Sequence, residues 1–190
     1  MLPIMAPARG AGHRLSADDW IQAGFALLAD TGPNTLRIDR LCARLNVTKG
    51  SFYWHFTDIG SYRAALVDAW GSLDDQRRRP FENMPDATPR DRLAVMMQTF
   101  IDPEHWALER AMRVWSLTDG SVLASVQRSD RRVFGAVHQA FVDYGFEPDD
   151  AGLRSALTFA AGVGLLHGAG LTGDAPPELR DGFLDFILRP

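Results

Sequence analysis

Residues 37–56 read RIDRLCARLNVTKGSFYWHF, and this stretch decides the fold. Ile38, Leu41, Cys42 and Leu45 stand at i, i+3, i+4 and i+7, which is one apolar face of a short helix. Asn46 follows; after Gly it is the residue that best tolerates the left-handed backbone of a helix C-terminus. Val47 is expected to be buried. Thr48 is placed to cap a third helix, Lys49 to His55, of only two turns. Helices this short are not stable alone. The tight turn at Asn46–Val47 makes them share apolar faces, which is the helix-turn-helix arrangement. Ile38, Leu41, Leu45, Val47, Phe52 and Phe56 are its expected core. The outward face then carries Thr48, Lys49, Gly50, Ser51, Tyr53, Trp54 and His55, with no acid. Short hydroxyls, one cation and hydrogen-bonding aromatics suit phosphates and base edges in a major groove. Gly50 has no side chain to hold such a helix away from a ligand, and the helix starts near Arg37 and Thr48 can direct backbone N–H groups at phosphate.

Working outward, Ser16 is a plausible N-cap with Asp18 and Asp19 in the first turn, and Trp20/Ile21, Gly24/Phe25 and Leu27/Leu28 recur in helical steps until Gly32-Pro33. Residues 1–14, rich in Pro, Gly and Ala, read as a flexible arm and not as a signal peptide. Arg9, His13 and Arg14 either reach a minor groove or belong to a tail with no role. Downstream, a helix is expected from about Asp58 to Arg79, stopped by Pro80. The stretch 80–89, PFENMPDATP, marks a boundary, and five more helices follow at about 90–101, 104–117, 120–144, 149–171 and 177–188. Sustained strand alternation is missing. The expected class is all-α, with about nine helices: an arm over 1–14, a three-helix helix-turn-helix domain over 15–72, and a helical ligand-binding and dimerisation domain over 73–190.

The net charge of −4 conceals an uneven distribution. Residues 1–80 hold 10 basic and 8 acidic side chains, and residues 81–190 hold 10 and 16. Within 37–56, Arg37, Arg40, Arg44 and Lys49 face Asp39 alone. The single cysteine, Cys42, forms no internal disulfide, and no apolar run approaches the ~18 residues of a membrane span. A cytoplasmic protein with no membrane partner is expected. No metal-ligand cluster, P-loop, GxSxG or GxGxxG supports an enzyme, and no cofactor is expected. An all-helical enzyme and a protein-interaction domain built on a degenerate helix-turn-helix are the competing readings.

LNVTKGSFYWHF, following a helix that ends RLCARL, resembles the DNA-binding domain of the tetracycline-repressor (TetR) family over roughly residues 15–72. That family's pattern runs hydrophobic-Ala-x-x-hydrophobic-Gly-Val-Ser/Thr-x-Gly-x-hydrophobic-Tyr-x-His-Phe. Leu41, Leu45, Val47, Thr48, Gly50, Phe52, Tyr53, His55 and Phe56 match it. Cys42 stands for the usual Ala, Asn46 for the usual Gly, and Arg37 for a capping Thr or Ser. Thr57-Asp58-Ile59-Gly60 lacks the cation usual after the motif. The resemblance implies a repressor of double-stranded DNA released by a small-molecule inducer. It implies DNA contacts from Arg37, Thr48, Lys49, Gly50, Ser51, Tyr53, Trp54 and His55.

One such unit reads only a few base pairs; a dimer sets two recognition helices about 34–36 Å apart on a palindromic operator. ALTFAAGVGLLHGAGL (156–171) and GFLDFIL (182–188) are apolar with many small residues. In the resembled family the last two helices pair two copies. Leu157, Ala161, Leu165, Leu166, Phe183 and Phe186 are the interface candidates, against the alternative of an internal core. The family also implies an inducer pocket among the middle helices. Met96, Phe100, Trp115, Phe134, His138 and Phe141 are the candidates, again against the alternative of plain core. An apolar or aromatic effector fits these side chains; the acidity of this half leaves a cation open.

Overall fold

The computed structural model describes residues 15–82, 84, 86–100, 103–172 and 177–189; the arm and its Arg9, His13 and Arg14 lie outside them. The described residues form α1 (Ala17–Thr31), a 3₁₀ turn (Pro33–Thr35), α2 (Ile38–Leu45), α3 (Lys49–Tyr53), α4 (Ile59–Glu82), α5 (Pro89–Phe100), α6 (Pro103–Ser116), α7 (Gly120–Tyr144), α8 (Pro148–Thr172) and α9 (Pro177–Ile187), with no strand among them. The all-α class and the order of helices are as expected from the sequence.

Local chemistry sets the ends. Ser16 and Asp19 make a capping box at α1: the Asp19 N–H donates to Ser16 Oγ at 3.2 Å and the Ser16 N–H to Asp19 Oδ2 at 2.7 Å. Asn46 is the only non-glycine at positive φ among the described residues (φ 54°, ψ 51°). Its N–H donates to the Ala43 carbonyl at 3.2 Å and that of Val47 to Cys42 at 3.0 Å, so the turn closes as a Schellman motif. Two expectations need correction. Pro80 does not end α4, which continues to Glu82. Pro80 and Gln76 are both exposed, so the carbonyl that loses its helical donor has water nearby. Val47 is half-buried, because it packs at the rim of the core beside the turn.

The helices enclose two cores. The first gathers Trp20, Leu28, Leu41, Phe52, Tyr62 and Trp70 with Met112 and Trp115 of α6 and Val122 of α7. The helix-turn-helix therefore shares its interior with the C-terminal half. The second core holds Phe81, Leu93, Met96, Val137, Phe141 and Leu184. α4 contributes to both and is about 36 Å long at 1.5 Å per residue.

α1 and α4 approach closely because Gly24 has no side chain. A Cβ there would lie 2.0 Å from Tyr62 Oη and 2.9 Å from Leu66 Cδ1. Tyr62 is fully buried and its hydroxyl donates to the Trp20 carbonyl at 2.8 Å; burial pushes its pKa well above the ordinary tyrosine range. Gly24→Ala is expected to destabilise the protein by about 1–3 kcal/mol through overpacking. Urea unfolding of the variant tests this, and an unchanged midpoint would show that the crossing has slack.

Candidate nucleic-acid interface and effector cavity

α3 is held by Phe52, whose buried ring meets Trp20 edge-on at 5.4 Å and lies 5.5 Å from Phe56 and 5.7 Å from Tyr62. With Phe52 anchored inward, Thr48, Lys49, Gly50, Tyr53 and Trp54 are exposed, Trp54 to 77%. Ser51 is half-buried. His55 is half-buried too, its ring 6.4 Å from Trp20, so it forms the rim of the core beneath this face.

Thr48 occupies the N-cap position of α3, but its side chain makes no capping bond. The expected cap is absent; the Thr48 carbonyl accepts the Ser51 N–H at 3.0 Å, and the hydroxyl is left for another partner. Arg37 heads α2 without capping it, as expected, and its guanidinium grips Asp39 at 3.1 and 3.3 Å. Both side chains are exposed, and such pairs contribute only ~0–1 kcal/mol, so a phosphate can compete for Arg37. Arg44 is spent on Asp30 at 2.9 Å. Lys49 and Arg40 have no ionic partner among the described residues.

The start of α4 is capped by Asp58, which accepts from the Ser61 N–H at 2.7 Å while Ser61 Oγ accepts from the Asp58 N–H at 3.2 Å. An acid therefore stands where the sequence lacks a cation. The next cation, Arg63, is one turn on and donates to the Leu36 carbonyl at 3.1 Å, tying α4 to the entry of α2.

In the C-terminal half a cavity of about 410 Å³ lies among α4, α5, α6, α7, α8 and α9. Phe81, Met96, Trp106, Val133, Phe159 and Phe183 supply much of its apolar wall. Of the five candidates whose side chains are described, only Met96 lines it. Trp115 is buried in the first core, Phe141 in the second. Phe134 packs on Phe159 at 6.3 Å and, like His138, does not reach the cavity. The Phe100 side chain lies outside the described residues. Val133 and Val137, one position from Phe134 and His138, take the wall instead.

The interface candidates divide. Leu157 and Phe186 are exposed, to 60% and 66%, and Leu153 joins them at 61%. Leu166 is buried, so it presents nothing outward, and Ala161, Leu165 and Phe183 line the cavity with it.

Sequence reasoning missed the polar end of the cavity. Arg113 is bidentate to Asp130 at 2.7 and 3.2 Å and also meets Glu109 at 3.0 Å. Arg78, 2% exposed, lies between Asp74 and Asp75, and Ser129 Oγ donates to Asp74. Burial pushes the Glu109 carboxyl up, against the pull of Arg113. The i, i+4 spacing of Glu109 and Arg113 was the available signal.

Residues 21–60 match the sequence model of the family described as bacterial regulatory proteins, tetR family. No curated protein sequence matches the chain. Solved structures share the fold across nearly the whole length. A transcriptional regulator from Rhodococcus sp. Rha1 superposes with a TM-score of 0.73 at 20% identity, covering 92% of this chain and 94% of that one. A putative TetR-family transcriptional regulator from Rhodococcus sp. gives 0.67 at 19%, covering 91% and 98%. SmeT, the repressor of the Stenotrophomonas maltophilia multidrug efflux pump SmeDEF, gives 0.63 at 23%, covering 92% and 89%. No described helix is long and apolar enough to cross a membrane.

Gly50 differs from Gly24. A Cβ there would meet only Thr48 Oγ1, at an ordinary 3.7 Å. Gly50→Ala should leave stability unchanged or raise it by up to about 1 kcal/mol, since Ala favours the helix. Thermal and urea unfolding check this; a loss of stability would place the need for glycine inside the fold.

Proposed function

We propose that this chain, a TetR-family transcriptional regulator by its DNA-binding segment and its fold, acts as a homodimeric repressor. It would bind a palindromic operator and leave it when a small molecule fills the cavity. Residues 15–72 would read DNA, and 73–190 would bind the effector and pair the subunits. The observation that carries the reading is the exposed, acid-free face of α3. Lys49 and the Thr48 hydroxyl are uncommitted there, and Gly50 answers no demand of the fold. In this reading Lys49, Thr48 and Ser51 contact phosphates or base edges, Tyr53 packs on the backbone and Trp54 enters the groove. Arg37 exchanges Asp39 for phosphate, and His55 supports the face from beneath.

Dimerisation is supported by the apolar side chains exposed on α8 and α9, and effector release by α4. One end of α4 holds Phe52 through Tyr62, and the other forms a cavity wall.

Binding to fragments of the gene's own upstream region, followed by anisotropy, should fall steeply with salt because counterions are released. Lys49→Ala should weaken binding to all sequences and reduce the log–log salt slope by about 1, with unfolding unchanged. Salt-independent binding, or none to any fragment, would sink the DNA assignment. Leu157→Arg should yield a monomer by light scattering at ~10 μM and lose at least about tenfold in operator affinity, a cost of ~1.4 kcal/mol. A variant that stays dimeric removes α8 from the interface.

A further inference from the structure

The charges of the cavity are matched within its own wall. Among the described residues three carboxylates, Asp74, Glu109 and Asp130, line it together with three guanidinium groups, Arg77, Arg78 and Arg113. Asp74 meets Arg78 at 3.5 Å, Glu109 meets Arg113 at 3.0 Å, and Asp130 holds Arg113 by two bonds. Asp75, which is not on the wall, lies between Arg78 and Arg132. A cation or an anion entering would shed its hydration and find no unpaired counter-charge, a cost that an uncharged molecule escapes. Charge balance therefore selects a neutral ligand.

The polar groups left over say what else that ligand carries. Among the described residues three hydroxyls line the cavity, those of Thr99, Ser129 and Thr158. Thr99 Oγ1 donates to the Val95 carbonyl at 2.9 Å, and Ser129 Oγ donates to Asp74. Thr158 Oγ1 is buried and has no hydrogen-bond partner. A hydroxyl inside a helix can donate to the carbonyl one turn back, as Ser155 of α8 does to Ala151 at 2.6 Å; Thr158, on the same helix, keeps its O–H unspent. The salt bridges leave donors over as well, since Arg113 Nε and Arg78 Nη1 are buried without an acceptor. A hydroxyl gives or takes a bond, whereas guanidinium N–H groups only donate. What this wall lacks is thus an acceptor, and a buried donor without one costs free energy that an acceptor returns.

Resting on the reading of this cavity as the effector site, we propose that it takes an uncharged, largely apolar molecule bearing a carbonyl oxygen, such as a ketone, ester or lactone, which accepts from the Thr158 hydroxyl. The apolar body lies among Met96, Val133, Val137 and Phe159, which line the same void. The salt bridges of the wall stay intact when such a ligand enters.

Four probes that share a phenyl ring and a four-carbon chain test this: butyrophenone, butylbenzene, 4-phenylbutylamine and 4-phenylbutanoate, titrated calorimetrically below their solubility limits. Wild-type protein should bind butyrophenone at least about tenfold tighter than the amine or the carboxylate, ~1.4 kcal/mol. Thr158→Val removes the hydroxyl at nearly constant volume. It should weaken butyrophenone about fivefold, ~1 kcal/mol, and leave butylbenzene within about twofold. If the valine variant does not fold, Thr158→Ala serves, because the ratio of ketone to hydrocarbon affinity is read within one protein and packing losses cancel. If the amine or the carboxylate binds wild-type protein as tightly as the ketone, the neutral-ligand assignment is overturned and the effector cavity stands. If loss of the hydroxyl leaves the ketone-to-hydrocarbon ratio unchanged, the acceptor assignment is overturned. If none of the four binds, the effector reading fails and takes this inference with it.

Discussion

Phe52 sets the geometry of the outward face of α3. A five-residue helix spends more on nucleation than its own hydrogen bonds return, so α3 exists because tertiary contacts hold it. Three aromatic neighbours from outside α3, Trp20, Phe56 and Tyr62, lie within 5.7 Å of the Phe52 ring and supply them. Aromatic pairs of this kind contribute about 0.5–1.5 kcal/mol each beyond burial. Trp20 and Tyr62 are in turn fixed to each other by a buried hydrogen bond across the Gly24 crossing. A slide of α4 along α1 would therefore move two of the rings that grip Phe52. The outward side chains of α3 would move with it.

That dependence reaches the other end of the molecule. The core around Phe52 continues into Met112 and Trp115 of α6 and Val122 of α7. The opposite face of α6 lines the cavity. Trp106 and Trp115 are nine residues apart, about half a turn out of phase at 100° per residue, and they face the void and the first core respectively. α6 thus packs between the cavity and the interior of the helix-turn-helix.

The same pair of tryptophans shows why the helix-turn-helix was legible in the sequence and the cavity was not. Caps and turns are local chemistry. Ser16 with Asp19, Asn46 at positive φ and the face of Ile38, Leu41 and Leu45 each follow from a few neighbouring residues. Whether an aromatic at helical spacing meets a core or a void depends on how neighbouring helices are rotated, which spacing does not encode. On α7 the sequence favours the stripe of Phe134, His138 and Phe141, but the wall is formed by Val133 and Val137, about 100° around the helix. Charges behaved likewise. Glu109 and Arg113 are related by i, i+4 spacing, whereas the bidentate partner Asp130 comes from another helix.

α8 carries apolar side chains on its inner and its outer side. Its inner side buries Ala151, Ser155 and Leu166, and turns Phe159 and Ala161 to the cavity. Its outer side exposes Leu153, Leu157 and Ala160 at steps of four and three. Arg154 donates to the Ile187 carbonyl at 2.7 Å and lies 3.8 Å over the Phe146 ring. That clamp ties α8 to the end of α9, where Phe186 is exposed. The outer side of α8 backs directly onto the cavity wall.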